Sequence, residues 1–190
     1  MSELENLYRR SYKTYKGRLE AGKRLALCNH LWNGSLVALS TAMVVASVGM
    51  IADEKIYGPR GPIYLIALSI AHLTSSLTVL NLKFGARSRD MFMNYRRIQR
   101  VSVEAENLRL EKRPSKAMIR NLSDQYQMLL DESENHSVRD YEKAFIAEKK
   151  GWKTFTLKYF VPSSMLIPIV FYAVSIMILC PFVVWSVSAR

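Results

Sequence analysis

Between residues 83 and 100 the chain sets six basic side chains, Lys83, Arg87, Arg89, Arg96, Arg97 and Arg100, against one acid, Asp90. Guanidinium forks bind phosphate oxygens in pairs, and an aromatic ring beside them offers a base a face to stack on. Tyr95 stands next to Arg96 and Arg97. A second basic set, Lys13, Lys16 and Arg18, lies among tyrosines. Two readings are open. One is a site for a nucleotide or a short single-stranded nucleic acid, built from Lys13, Lys16, Arg87, Arg89, Tyr95, Arg96, Arg97 and Arg100. The other is a basic membrane flank, which sets topology and attracts anionic lipid headgroups.

Residues that would do covalent chemistry are missing from the pattern. The sequence has no glycine-rich phosphate loop, no nucleophile elbow and no His/Glu metal motif. The acids of residues 83–158 are scattered among basic residues, as on solvated helices. Cys28 and Cys180 form no Cys-x-x-Cys and read as packing residues. The lone His136 sits in a polar turn and reads as part of a helix cap. The expectation is a non-enzymatic protein with no metal and no cofactor.

The elements that must position the basic residues are membrane helices. Residues 25–52, 61–82 and 159–189 contain no Asp, Glu, Lys or Arg. Each run exceeds the ~20 residues that cross a bilayer core as helix. The 49% hydrophobic content is therefore an average over two phases, and it excludes a soluble domain, a disulfide scaffold and a disordered tail. The first run is longer than the ~7–15 residues of a signal-peptide core and reads as a retained span. Of the 27 Lys and Arg, seven lie in residues 1–24, two in residues 53–60 and seventeen in residues 83–158. The positive-inside rule places the N-terminus and 83–158 in the cytoplasm, and the 53–60 loop and C-terminus outside.

Periodicity fills in the rest. Leu4, Tyr8, Tyr12, Tyr15 and Leu19 form a helical face that leads toward the first span, with room for a bend near Gly22 or Gly34. Gly58, Pro59, Gly61 and Pro62 punctuate a tight hairpin between spans one and two. Span two continues through Phe84, Met91, Tyr95, Ile98 and Ala105 as one long helix that stops before Pro114. Ser115 caps a second cytoplasmic helix with Ile119, Leu122, Tyr126 and Leu129 on its apolar face. Ser137 and Asp140 approximate a capping box. They open a third helix carrying Tyr141, Phe145, Trp152 and Phe155. Pro162, Pro168 and Pro181 should kink span three.

Two features of the spans are candidates for a pore or a subunit interface. Gly34, Ala38, Ala42, Ala46 and Gly49 form a small-residue stripe on span one, which suits close packing inside the hairpin of one subunit, or a subunit interface or pore-facing surface. On span two, Ser69, His72, Ser76 and Lys83 share one face and Thr74, Thr78 and Asn81 another. Polar groups in lipid need a partner or water. His72 reads either as an interhelical hydrogen-bonding residue or as a pore or pH-sensing one.

Several short motifs resemble those of a known family. They are residues 12–18 (Tyr-Lys-Thr-Tyr-Lys-Gly-Arg), Lys23-Arg24-Leu25 before the hairpin, and residues 126–130 (Tyr-Gln-Met-Leu-Leu). Glu134-Asn135-His136 and Asp140-Tyr141 complete the set. Together they resemble the SLATT domains, two-span membrane effectors of bacterial nucleotide-signalling and anti-phage systems, over about residues 8–158. The resemblance implies a pore that damages the cell membrane when a partner nucleotidyltransferase signals infection. The third apolar run departs from the two-span family pattern.

The combined expectation is an all-α integral membrane protein. It comprises a cytoplasmic N-terminal amphipathic helix (1–24), a transmembrane hairpin (25–82), a cytoplasmic helical domain (83–158) and a third transmembrane helix (159–190). Three helices per chain do not comfortably enclose a water-filled path, so conduction requires a homo-oligomer. The expected function is an ion-channel effector in the bacterial inner membrane, opened or held closed by a nucleotide or oligonucleotide signal. The alternatives are a non-conducting membrane anchor that recruits a soluble partner and, more weakly, an enzyme subunit of a membrane complex.

Overall fold

The structure is a computed structural model that describes residues 3–111, 115–145 and 163–188. Six helices and no strand occur among the described residues: α1 Glu3–Ala52, α2 Gly61–Leu82, α3 Phe84–Leu110, α4 Lys116–Asp131, α5 Val138–Ala144 and α6 Ser163–Ser188. The expectations for Trp152, Phe155 and Pro162 fall outside these residues. The described residues divide into two compact units. One draws on residues 1–26 and 85–160, the other on 27–84 and 161–190.

The first unit is held by a heptad-like seam. Leu4 and Leu7 of α1, Ile98, Val101, Ala105 and Leu108 of α3, and Leu122 and Tyr126 of α4 form one buried cluster. Tyr8, Tyr15, Ile119, Leu129 and Leu130 pack against it. On α3 the buried positions alternate by three and four residues, so a single stripe faces the neighbouring helices. Tyr95 lies off that stripe. It is half-buried and meets Phe92 edge-on at 5.9 Å.

Three of the helices are long and apolar enough to cross a membrane, by way of α1, α2 and α6. Within the second unit the two glycines of the α1 stripe meet α6, not α2. A Cβ at Gly34 would collide with the Tyr172 hydroxyl, and one at Gly49 would lie 2.8 Å from the Phe182 ring. Trp32 meets Phe171 edge-on at 6.0 Å. Ala42 and Ala46 are fully buried. Tyr57 in the hairpin loop donates to the Ile178 carbonyl of α6 at 2.9 Å. Pro168 and Pro181 lie inside α6.

Helix α1 runs from Glu3 to Ala52 without interruption at Gly22 or Gly34. One expectation changes. The second span does not continue as one helix: α2 ends at Leu82, and Lys83 adopts φ 49° and ψ 35°, the left-handed conformation. A left-handed residue cannot carry the i to i−4 ladder forward, so α3 begins afresh at Phe84.

Candidate functional site

In the first unit the ends of α4 and α5 meet α1 and α3 around Arg18. Its side chain is 1% exposed. The guanidinium donates to Asn94 Oδ1 of α3, to the Leu129 carbonyl at 2.9 Å and to the Leu130 carbonyl at 3.2 Å. The last two are among the carbonyls a helix leaves without internal donors, so the cation also lies at the negative end of α4. Burial lowers the Arg18 pKa, and Tyr126 opposes that shift. Asn94 Nδ2 also donates a hydrogen bond to Leu129 O at 2.8 Å.

The turn that follows α4 is fastened at four points. Arg24 clasps Asp140 with bonds of 2.9 and 3.0 Å. Asp140 also closes the capping box with Ser137: its amide donates to Ser137 Oγ, and its carboxylate accepts from the Ser137 amide. Burial pushes the Asp140 pKa up, but Arg24 and Ser137 outweigh it and hold the carboxyl below its ordinary value. Glu134 takes both arms of Arg87 at 2.8–3.1 Å. Glu132 accepts from Arg97 at 2.8 Å.

His136 completes the turn. Its ring lies against Gly17, where a Cβ would come within 2.7 Å, and stacks on Tyr141 at 6.1 Å. Burial and the Arg18 charge lower its pKa, with Asp140 opposing. Many residues of the quoted motifs, including Gly17, Arg18, Arg24, Tyr126, Leu129, Leu130, His136 and Asp140, thus build one tertiary junction.

Of the seven basic residues singled out for anion binding, three are engaged inside the unit. Arg87 and Arg97 hold glutamates. Lys16 lies over the Tyr12 ring at 5.5 Å. Lys13 is exposed on α1. Arg89, Arg96 and Arg100 are exposed and make no hydrogen bond or ion pair to another described residue. At 100° per residue these three fall within about 40° on α3, in a row about 16 Å long. Tyr95, Arg96, Gln99, Arg100 and Val103 line a shallow groove of about 420 Å³ beside that row. Guanidinium, amide and phenol on one helix face suit phosphates and bases.

The residues singled out on the spans are divided too. His72 Nε2 lies 3.0 Å from Ser40 Oγ and 3.1 Å from the Leu36 carbonyl, both on α1. Ser76 is half-buried. Ser69 is exposed and bonds back to Leu65 O. Gly34, Ala42 and Ala46 are taken up within the subunit, and Ala38 is half-buried. By contrast, only 6% of the apolar window of α2 is buried. Thr74, Thr78 and Asn81 lie on its open surface.

Arg18 and Asp140 are the residues whose weight sequence reasoning missed. A cation inside a basic amphipathic helix reads as solvated, and only its position inside a quoted motif marked it.

A family model described as SMODS and SLOG-associating 2TM effector domain family 5 matches residues 1–187. No curated protein and no solved structure matches the chain. The family description specifies two spans, whereas three helices here have the length and apolar character to cross a membrane.

Proposed function

Since the chain belongs to the SMODS and SLOG-associating 2TM effector domain family, we propose that it is a homo-oligomeric, pore-forming effector of a bacterial anti-phage system. It acts by conducting ions, not by catalysis. A nucleotide or short oligonucleotide from a partner nucleotidyltransferase controls it from the Arg89, Arg96 and Arg100 face. Opening depolarises the bacterial inner membrane and stops growth. The N-terminus and the basic unit face the cytoplasm, and the C-terminus faces outside.

The observation that carries this reading is the open surface of α2. An apolar helix of 22 residues has little of its surface covered by its own chain. Thr74 and Thr78 turn their hydroxyls back to carbonyls one turn earlier. The Asn81 amide has no such partner among the described residues. Amides in spans associate with one another or line water, contributing about 0.6–2 kcal/mol per contact. Asn81→Leu is expected to shift the oligomer toward smaller species in native mass spectrometry from mild detergent. A wild-type chain that is monomeric there and still conducts removes the proposal.

A second reading, a non-conducting anchor for a soluble partner, draws on exposed apolar side chains of the basic unit: Leu110, Met118, Met128 and Val138. Conductance separates the two.

A further inference from the structure

Arg97 and Arg87 differ in one respect. Both are arginines of α3, Arg97 exposed and Arg87 half-buried, and both hold a glutamate from the turn after α4. On the helix surface Arg97 lies about 60° from Arg100, one turn along, and about 100° from Arg96, whereas Arg87 lies roughly opposite Arg96. A chain of phosphates seated along Arg89, Arg96 and Arg100 therefore reaches the Arg97 guanidinium and not that of Arg87. Glu132 already occupies Arg97, through one bond of 2.8 Å, with both side chains about half exposed. Exposed single-bonded pairs of this kind are weak and salt-sensitive, so a phosphodiester can compete for the same fork.

We propose that Glu132 is an internal counter-anion. Its carboxylate holds the place on Arg97 that a phosphate of the oligonucleotide takes, and ligand binding releases it. The Arg87–Glu134 clasp stays closed and keeps the turn anchored. This rests on the proposed ligand face and adds a regulatory contact to it. Glu132 is the C-cap of α4, with its amide on the Met128 carbonyl at 3.1 Å. The next two carbonyls, of Leu129 and Leu130, are those held by Arg18. Releasing Glu132 thus loosens the end of α4 at the junction that joins it to α1 and α3.

The test uses the full chain in detergent micelles and labelled hexathymidylate as probe, with binding read by fluorescence anisotropy at several salt concentrations. Glu132→Gln removes one negative charge from the turn, and Glu134→Gln removes one two residues away, so the pair is charge-matched. Glu132→Gln is expected to tighten binding by about 2–5-fold, in line with loss of one competing exposed ion pair. Glu134→Gln is expected to change it by less than about 2-fold, as for screened charge alone. Hydrogen exchange of residues 128–134 is expected to rise on adding probe to wild type, and to be already raised in Glu132→Gln. Short-chain phosphatidylglycerol is the competing arm. If it reproduces the Glu132→Gln difference and hexathymidylate does not, the phosphodiester belongs to lipid and the oligonucleotide assignment is overturned. Equal tightening in both variants overturns the inference and leaves the ligand face standing. Loss of binding in Arg96→Glu with Arg100→Glu locates that face independently. Absence of binding in every form overturns the inference together with the reading it rests on.

Discussion

Replacing Arg18 with Met tests the junction at its centre. The side chain keeps most of its volume and loses the fork. Leu130 O and Asn94 Oδ1 then lose their donor, whereas Leu129 O keeps the Asn94 amide at 2.8 Å. Each orphaned buried acceptor costs about 1–3 kcal/mol. Removing a buried guanidinium returns part of that, because its desolvation no longer opposes folding. The expected loss is about 3 kcal/mol, equivalent to roughly 100-fold in the opening equilibrium. Hydrogen exchange of the α4 amides in the detergent-solubilised chain reads this directly. Arg18→Lys separates charge from geometry: it retains the cation near the carbonyl end of α4, worth about 0.3–1 kcal/mol, but not the three-way fork. Lys is therefore expected to recover less than half of the loss. Exchange in Arg18→Met within about 3-fold of wild type, a difference under 1 kcal/mol, would show that the fork does not hold the end of α4.

Two further predictions concern the same junction. Gly17→Ala drives a methyl into the His136 ring, at 2.7–2.9 Å from Cδ2 and Nε2; overpacking of about 1–3 kcal/mol exceeds the gain of about 1 kcal/mol in helix propensity. Tm in detergent should fall, and His136→Ala in that background should raise it again. Acid should loosen the turn in two stages. The His136 pKa lies below its unfolded value of 6.5, so its contribution is full above that pH and is lost as pH falls through the lower folded value. Asp140 is likewise depressed from 3.8 and gives up its contribution only below that. Exchange of residues 132–144, corrected for intrinsic rates, should therefore rise first below about pH 6.5, and His136→Gln should abolish that first rise.

Much of this architecture is legible in the sequence because its causes are local. Charge-free runs mark the spans, and the buried α3 positions Met91, Ile98 and Ala105 repeat every seven residues. Ser137 and Asp140 announce a cap that the structure closes with both bonds. Ser115 takes the N-cap position of α4, although its hydroxyl makes no capping bond. The break at Lys83 carries no such signal: no Gly or Pro stands there, and Gly85 comes two residues later. Pairing is equally hidden. Six basic residues in a row of sequence look alike until Glu132 and Glu134, more than thirty residues away, select Arg97 and Arg87. The small stripe of α1 was legible as a close-packing surface. That its glycines meet α6 follows from Tyr172 and Phe182, which periodicity alone does not assign to α1.

Ion flux through the purified chain in liposomes decides whether the protein conducts. With a potassium gradient and a voltage-sensitive dye, flux is expected well above that of protein-free vesicles in one of two conditions, with or without a short single-stranded oligonucleotide on the side of the basic unit. Arg96→Glu with Arg100→Glu is expected to abolish the difference between them. A wild-type oligomer that leaves the vesicles sealed in both conditions would contradict the proposed pore and leave the chain a membrane anchor.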